Sequence, residues 1–217
     1  NGFATANGPW TVSQVGANGV FSNSWYISAA EGGFAPGACS DGCVTGVAFE
    51  RTLHVSEDTD DNGAIYLEQA NPGGFFITDK RAESPVIDCS GQFNIDLEIH
   101  FINAGSAADF CTIEYFDGTA WSFLANMPDS PGDCAPQRTW DLLNVTLPNS
   151  AGNNPDVKIG FRWRNNNDQM LNGGGAGHSV AIGFMGLFAG AAPDLPVADF
   201  FINDPDEFCE TGIIQFF

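Results

Sequence analysis

From Phe93 to Phe101 the chain alternates without a break. Phe93, Ile95, Leu97, Ile99 and Phe101 fall on one side, and Gln92, Asn94, Asp96, Glu98 and His100 on the other. A period of two predicts a strand with one dry and one wet face, long enough to lie centrally in a sheet. Val157, Ile159, Phe161 and Trp163 alternate in the same way against Lys158, Gly160, Arg162 and Arg164. Asp117-Gly118 between residues 109–116 and 121–124 predicts a tight hairpin. Further strands are expected at Trp10-Thr11-Val12, 24–28, 47–55, 64–69, 75–77, 140–147 and 180–189. Ser84 to Gly91 reads as another strand, opened by Pro85 and closed by a Ser90-Gly91 turn. Helix-period stretches are absent. The pattern predicts an all-β chain with Ile95, Leu97, Ile99, Ile159 and Phe161 between two antiparallel sheets.

Composition adds the core and the partners. Nineteen Phe and five Trp suffice for a substantial interior. With 27 acidic and 7 basic residues the chain carries −20, which disfavours nucleic acid and anionic lipid as partners. No stretch is apolar enough to insert in a membrane. The chain starts at Asn1 without a signal peptide and reads as a processed form or a fragment.

Six cysteines suggest an oxidising compartment. Two bridges are expected, Cys39–Cys43 across a short loop and Cys111–Cys134 across a hairpin and its following loop, with Cys89 and Cys209 left over. Zinc is the weaker reading, because only one short-spaced cysteine pair is present.

The densest acidic run is Glu57-Asp58-Thr59-Asp60-Asp61-Asn62-Gly63. Close-spaced carboxylates beside a glycine suit calcium, so Glu57, Asp58, Asp60 and Asp61 are candidate ligands. The run does not match an EF-hand, and a solvated loop between strands is the stronger reading. Catalytic motifs are missing. His54 and His100 fall on outward faces by alternation and His178 in a glycine loop, so each reads as a surface residue. A polar platform would form if Asp96, Glu98 and His100 lay beside Arg162 and Arg164. Trp25, Tyr26, Tyr115 and Trp121 are the aromatics that could stack on sugar rings there. Core or edge packing is preferred for Trp121 and Trp163. The candidate ligand-binding set is Trp25, Tyr26, Glu98, His100, Arg162 and Arg164.

Four blocks carry a family resemblance: SPVID-x-SG before the long strand, EYFDGTAWSFL (114–124), NPDVKIGFRWRNNN (154–167) and SVAIGFMGL (179–187). In this order they resemble the jelly-roll adhesin-type domains related to MAM domains and to the cleaved adhesin domains of Bacteroidota surface proteins, over roughly residues 45–190. The resemblance implies a jelly-roll β-sandwich and a secreted or cell-surface location. Related jelly rolls often hold a structural calcium through an Asp pair in the closing strand. Gly183 and Phe184 stand there instead, which puts that site in doubt. After a linker at 191–196, the segment 197–217 resembles the first strands of a PKD-type domain through Pro196, Ala198, Phe200, Cys209, Gly212 and Ile214. The expected division is therefore a jelly-roll domain at 1–192, then a linker and an incomplete immunoglobulin-like sandwich at 193–217. The exposed apolar set of that tail implies a covering partner, such as a secretion-machinery component or a neighbouring subunit.

The leading functional expectation is a non-catalytic adhesin-like module of a larger exported protein. The family implies type IX secretion and, for some members, gliding motility. The alternatives are a carbohydrate-binding module of a secreted polysaccharide-degrading enzyme, or a repeat of an extracellular filament.

Overall fold

The computed structural model describes residues 9–39, 51–67, 75–132, 134, 138–166 and 176–190. These residues form β1 (Thr11–Gln14), β2 (Ser24–Ser28), β3 (Thr52–Ser56), β4 (Ile65–Leu67), β5 (Thr78–Glu83) and β6 (Phe93–Asn103). They continue with β7 (Phe110–Phe116), β8 (Trp121–Asn126), β9 (Asp141–Thr146), β10 (Lys158–Asn165), β11 (Ala176–His178) and β12 (Val180–Gly190). A first five-stranded sheet has the order β1-β5-β10-β7-β8, and a second has β2-β3-β12-β6-β9. β4 and β11 make a two-stranded ribbon. Every pairing is antiparallel. The fold is an all-β sandwich of the jelly-roll kind.

The alternating strands place their apolar sides as the pattern dictates. Leu97, Ile99 and Phe101 of β6 and Ile159, Phe161 and Trp163 of β10 are fully buried in one core between the sheets. The hairpin forms as expected: Gly118 has φ +93°, and Asp117 Oδ1 accepts the amides of Thr119 and Ala120, each at 2.8 Å.

Four local expectations are corrected. First, the strand lies at Thr78–Glu83, whereas residues 84–91 contribute an isolated Ile87–Val157 bridge and a turn. TDKRAE conceals a strand because its outward charges are neutralised by neighbours rather than by water. Second, His54 is buried, since β3 is covered on both faces. Its Nδ1 lies 2.9 Å from Thr52 Oγ1 and its Nε2 2.7 Å from Asp61 Oδ1. Third, Cys39 is bonded to Cys134, with Cα atoms 5.4 Å apart. Neither expected bridge forms. Cys111 sits on the inward side of β7, buried and free, and Cys134 is taken by Cys39. Cys43 lies outside the described residues, as does the whole tail 193–217. Fourth, His178 ends β11 and is half-buried rather than in a loop.

Candidate functional site

The proposed polar platform does not assemble. Glu98 and His100 belong to β6 in the second sheet, and Arg162 and Arg164 to β10 in the first. Outward faces of two packed sheets point in opposite directions, so the two sets lie on opposite sides of the sandwich. His100 Nε2 instead lies 3.1 Å from Glu98 Oε1, and its ring is tilted on Phe184 at 5.0 Å. Trp25 is a core residue whose indole N–H donates to the Lys80 carbonyl at 3.1 Å. Tyr115 is likewise buried in the core. The Tyr26 hydroxyl meets the carbonyls of Glu57 and Asp58, each at 2.9 Å, and so pins the acidic loop.

That loop is organised by its own contacts. Asp61 holds His54, Glu57 accepts from the Asn62 amide, and Asp58 lies 4.0 Å from the Lys80 ammonium. Burial works to raise the Asp61 pKa, but hydrogen bonds from His54 and Ser28 outweigh it and hold the carboxyl below its ordinary value. Among the described residues no three His, Cys, Asp or Glu side chains converge on a point that could hold a metal ion.

The chemistry concentrates on the outward face of the first sheet. Here β5, β10 and β7 bring Asp79, Arg81, Arg162 and Glu114 side by side. The Arg81 guanidinium donates to Glu83 at 3.0 Å and to Glu114 at 2.7 Å. Arg162 grips Asp79 with two bonds, of 2.6 and 2.7 Å, and reaches Glu114 at 3.3 Å. The hydrogen bonds that Arg162 donates to the Asp79 carboxylate dominate, and they push the Arg162 pKa above its ordinary value. Arg81 also stacks on the Trp121 ring, 3.8 Å from its centroid. Gly160 makes this possible, because a Cβ there would sit 2.6 Å from Arg81 Cδ and 2.7 Å from Trp121 Cζ3.

A bulge decides what β8 shows to solvent. The β7–β8 register shifts between Ile113 and Glu114, so that Ala125 faces Ile113 but Phe123 faces Glu114. The extra residue, Leu124, packs on the core with Ala125. Phe123 and Trp121 are thereby turned to the outward face beside Glu114 and Phe116, and Phe123 is 62% exposed. Trp121 is an edge-strand residue, as expected, but it lies on the solvent side of the edge.

At one end of this face is a cavity of about 270 Å³. It is an open pocket lined by the start of β5, the end of β10 and the residues around the start of β7, with Asp79, Arg164, Asn165, Ile77, Ala108 and Phe110 among them. The Arg164 guanidinium stacks on Phe110 at 5.0 Å. Among the described residues its Nε is buried without a hydrogen-bond partner, and so are both polar atoms of the Asn165 amide. Asp79, Arg81, Glu114, Phe123, Phe110 and Asn165 were not singled out from sequence. The one available signal was the charged run TDKRAE just before Ser84-Pro85.

No family model and no curated protein matches the chain. Solved structures give looser likenesses. The K1 cleaved adhesin domain of Lys-gingipain from Porphyromonas gingivalis W83 is 13% identical with a TM-score of 0.44, over 88% of this chain and 97% of that one. The K2 cleaved adhesin domain of Lys-gingipain is 10% identical with a TM-score of 0.43, over 84% and 89%. The enzymatically active domain of bacteriophage CBA120 tailspike protein 4 is 16% identical with a TM-score of 0.44, over 83% of this chain. This chain spans 19% of that tailspike chain. At these scores the comparisons do not assign a family.

Proposed function

We propose that the chain is a non-catalytic, adhesin-like binding module of a larger exported protein, and that it holds saccharide on the outward face of the first sheet. The observation that carries this reading is the pairing of Trp121 and exposed Phe123 with a rigid, charge-compensated floor. Aromatic faces pack on the apolar side of sugar rings, while fixed guanidinium and carboxylate groups meet hydroxyls. Because the Arg81, Glu83, Glu114, Arg162 and Asp79 side chains already hold one another, little ordering entropy remains to be lost on binding. The Cys39–Cys134 bridge supports an extracellular setting. In this reading the tail 193–217 begins a PKD-type domain that packs on a neighbouring protein.

The test is a glycan array probed with the 217-residue chain and with Trp121→Ala and Phe123→Ala. Retention on at least one saccharide, lost in both variants, supports the reading. No retention, or retention that neither substitution weakens, overturns it.

A further inference from the structure

We propose that the Arg164 cavity is a carboxylate-recognition subsite for an acidic saccharide, meaning one that carries uronate-type carboxyl groups. The inference deepens the saccharide reading and rests on it.

Arg164 is placed to have a carboxylate partner and, among the described residues, lacks one. Its register neighbour on β5 is Asp79. Yet both Asp79 oxygens are taken by Arg162, diagonally across the pair. Gly16 helps keep Asp79 in that position, since a Cβ there would overlap the Asp79 carboxylate. Among the described residues no carboxylate pairs with Arg164, in a chain with 27 acidic and 7 basic residues. Arg138 has one carboxylate partner, and Arg81 and Arg162 have two each. The net charge of −20 disfavours polyanions over the surface at large, so an unpaired guanidinium is the local positive site at which a single carboxylate can be held.

The geometry selects carboxylate. The Arg164 guanidinium carbon lies over the Phe110 ring, 5.0 Å from its centroid, a cation–π contact that holds the head group beside the ring. A planar fork held by stacking can receive a carboxylate through two parallel N–H···O bonds, which an ammonium cannot do. The Asp79 carboxylate in the wall is already neutralised by Arg162 and does not oppose the ligand. The rest of the wall selects a sugar. Ile77, Ala108 and Phe110 present apolar surface, and about 270 Å³ falls just below the usual range of small-ligand sites, room for one ring rather than several. The cavity continues the face that carries Trp121, so one chain could engage both.

The experiment is calorimetric titration of the 217-residue chain with trigalacturonate, its methyl ester, a neutral oligosaccharide retained on the array and a Glu-rich peptide. Each is repeated with Arg164→Ala, Arg164→Lys and Trp121→Ala. Removal of a charge-assisted bond is expected to weaken trigalacturonate by about 10- to 100-fold, both in Arg164→Ala and on esterification. Arg164→Lys, which keeps charge but not the fork, should fall between wild type and Ala. Equal binding of acid and ester, or Arg164→Ala binding as wild type, overturns the subsite. Tighter binding of the peptide than of trigalacturonate overturns its assignment to saccharide. Neutral-saccharide binding that is lost in Trp121→Ala but unchanged in Arg164→Ala, with no preference for acid, sinks the subsite and leaves the broader reading standing. Absence of binding to every saccharide sinks both.

Discussion

Arg162 and Arg164 occupy the same face of β10, two residues apart, in opposite circumstances. Arg162 has two carboxylates around it and makes three hydrogen bonds to them. Arg164 has an aromatic ring and a cavity. The difference shows where the molecule uses charge to hold itself together and where it leaves charge available. A compensated arginine is structural: it ties β10 to β5 and β7, and removing a partner strands a charge away from water. An uncompensated one contributes little to folding and remains free to meet a ligand.

The comparison is broken most directly at Glu114, which serves both Arg81 and Arg162. Glu114→Ala should cost about 3 kcal/mol, because it leaves two shielded guanidinium groups short of an acceptor. A fall in the urea midpoint at unchanged slope would show this. A shift no larger than that of an ordinary surface substitution would mean that water reaches the lattice.

Gly160→Ala comes next. The added methyl must displace Arg81 or Trp121, for a cost of roughly 1–3 kcal/mol by overpacking. The Trp121 contribution to fluorescence should change as the indole is lifted from the sheet. Unchanged emission together with unchanged stability would contradict the stacked geometry.

A smaller effect is expected from His54 of the second sheet and Asp61, a hydrogen-bonded pair. The folded-state pKa of Asp61 lies below its ordinary 3.8. Its stabilising contribution is therefore fully present above that value and is lost as pH falls through the lower folded-state value. Thermal melts between pH 5 and pH 2 (roughly the range in which such a carboxyl protonates) should fall more steeply for wild type than for Asp61→Asn. Parallel curves would remove the pair from the list of stabilising contacts.

The smallest change belongs to Arg164→Ala. With no ion pair to lose among the described residues, the protein should forfeit only the Phe110 contact, about 0.5–1 kcal/mol. A loss as large as that of Glu114→Ala would show that Arg164 is a structural residue and would erase the contrast between the two arginines.

Much of this arrangement was legible beforehand. The alternation in 93–101 and 157–164 named the buried faces of β6 and β10 residue by residue, because a strand has only two sides and water sorts them. Asp117-Gly118 named the hairpin, because its turn needs a residue tolerant of positive φ. These are local determinants, and each acts within a few residues. Other features required the whole molecule. TDKRAE became a strand because Glu114 and Arg162, contributed by β7 and β10, neutralise its charges. The turning of Trp121 and Phe123 to solvent followed from a one-residue bulge that alternation cannot reveal. Cys39 met Cys134 across 95 residues because the loop before β9 folds back beside it. The placement of β6 and β10 in different sheets decided which charges can meet. Alternation tells a residue that it faces outward, but only the packing of sheets decides toward which side of the molecule, and with which neighbours.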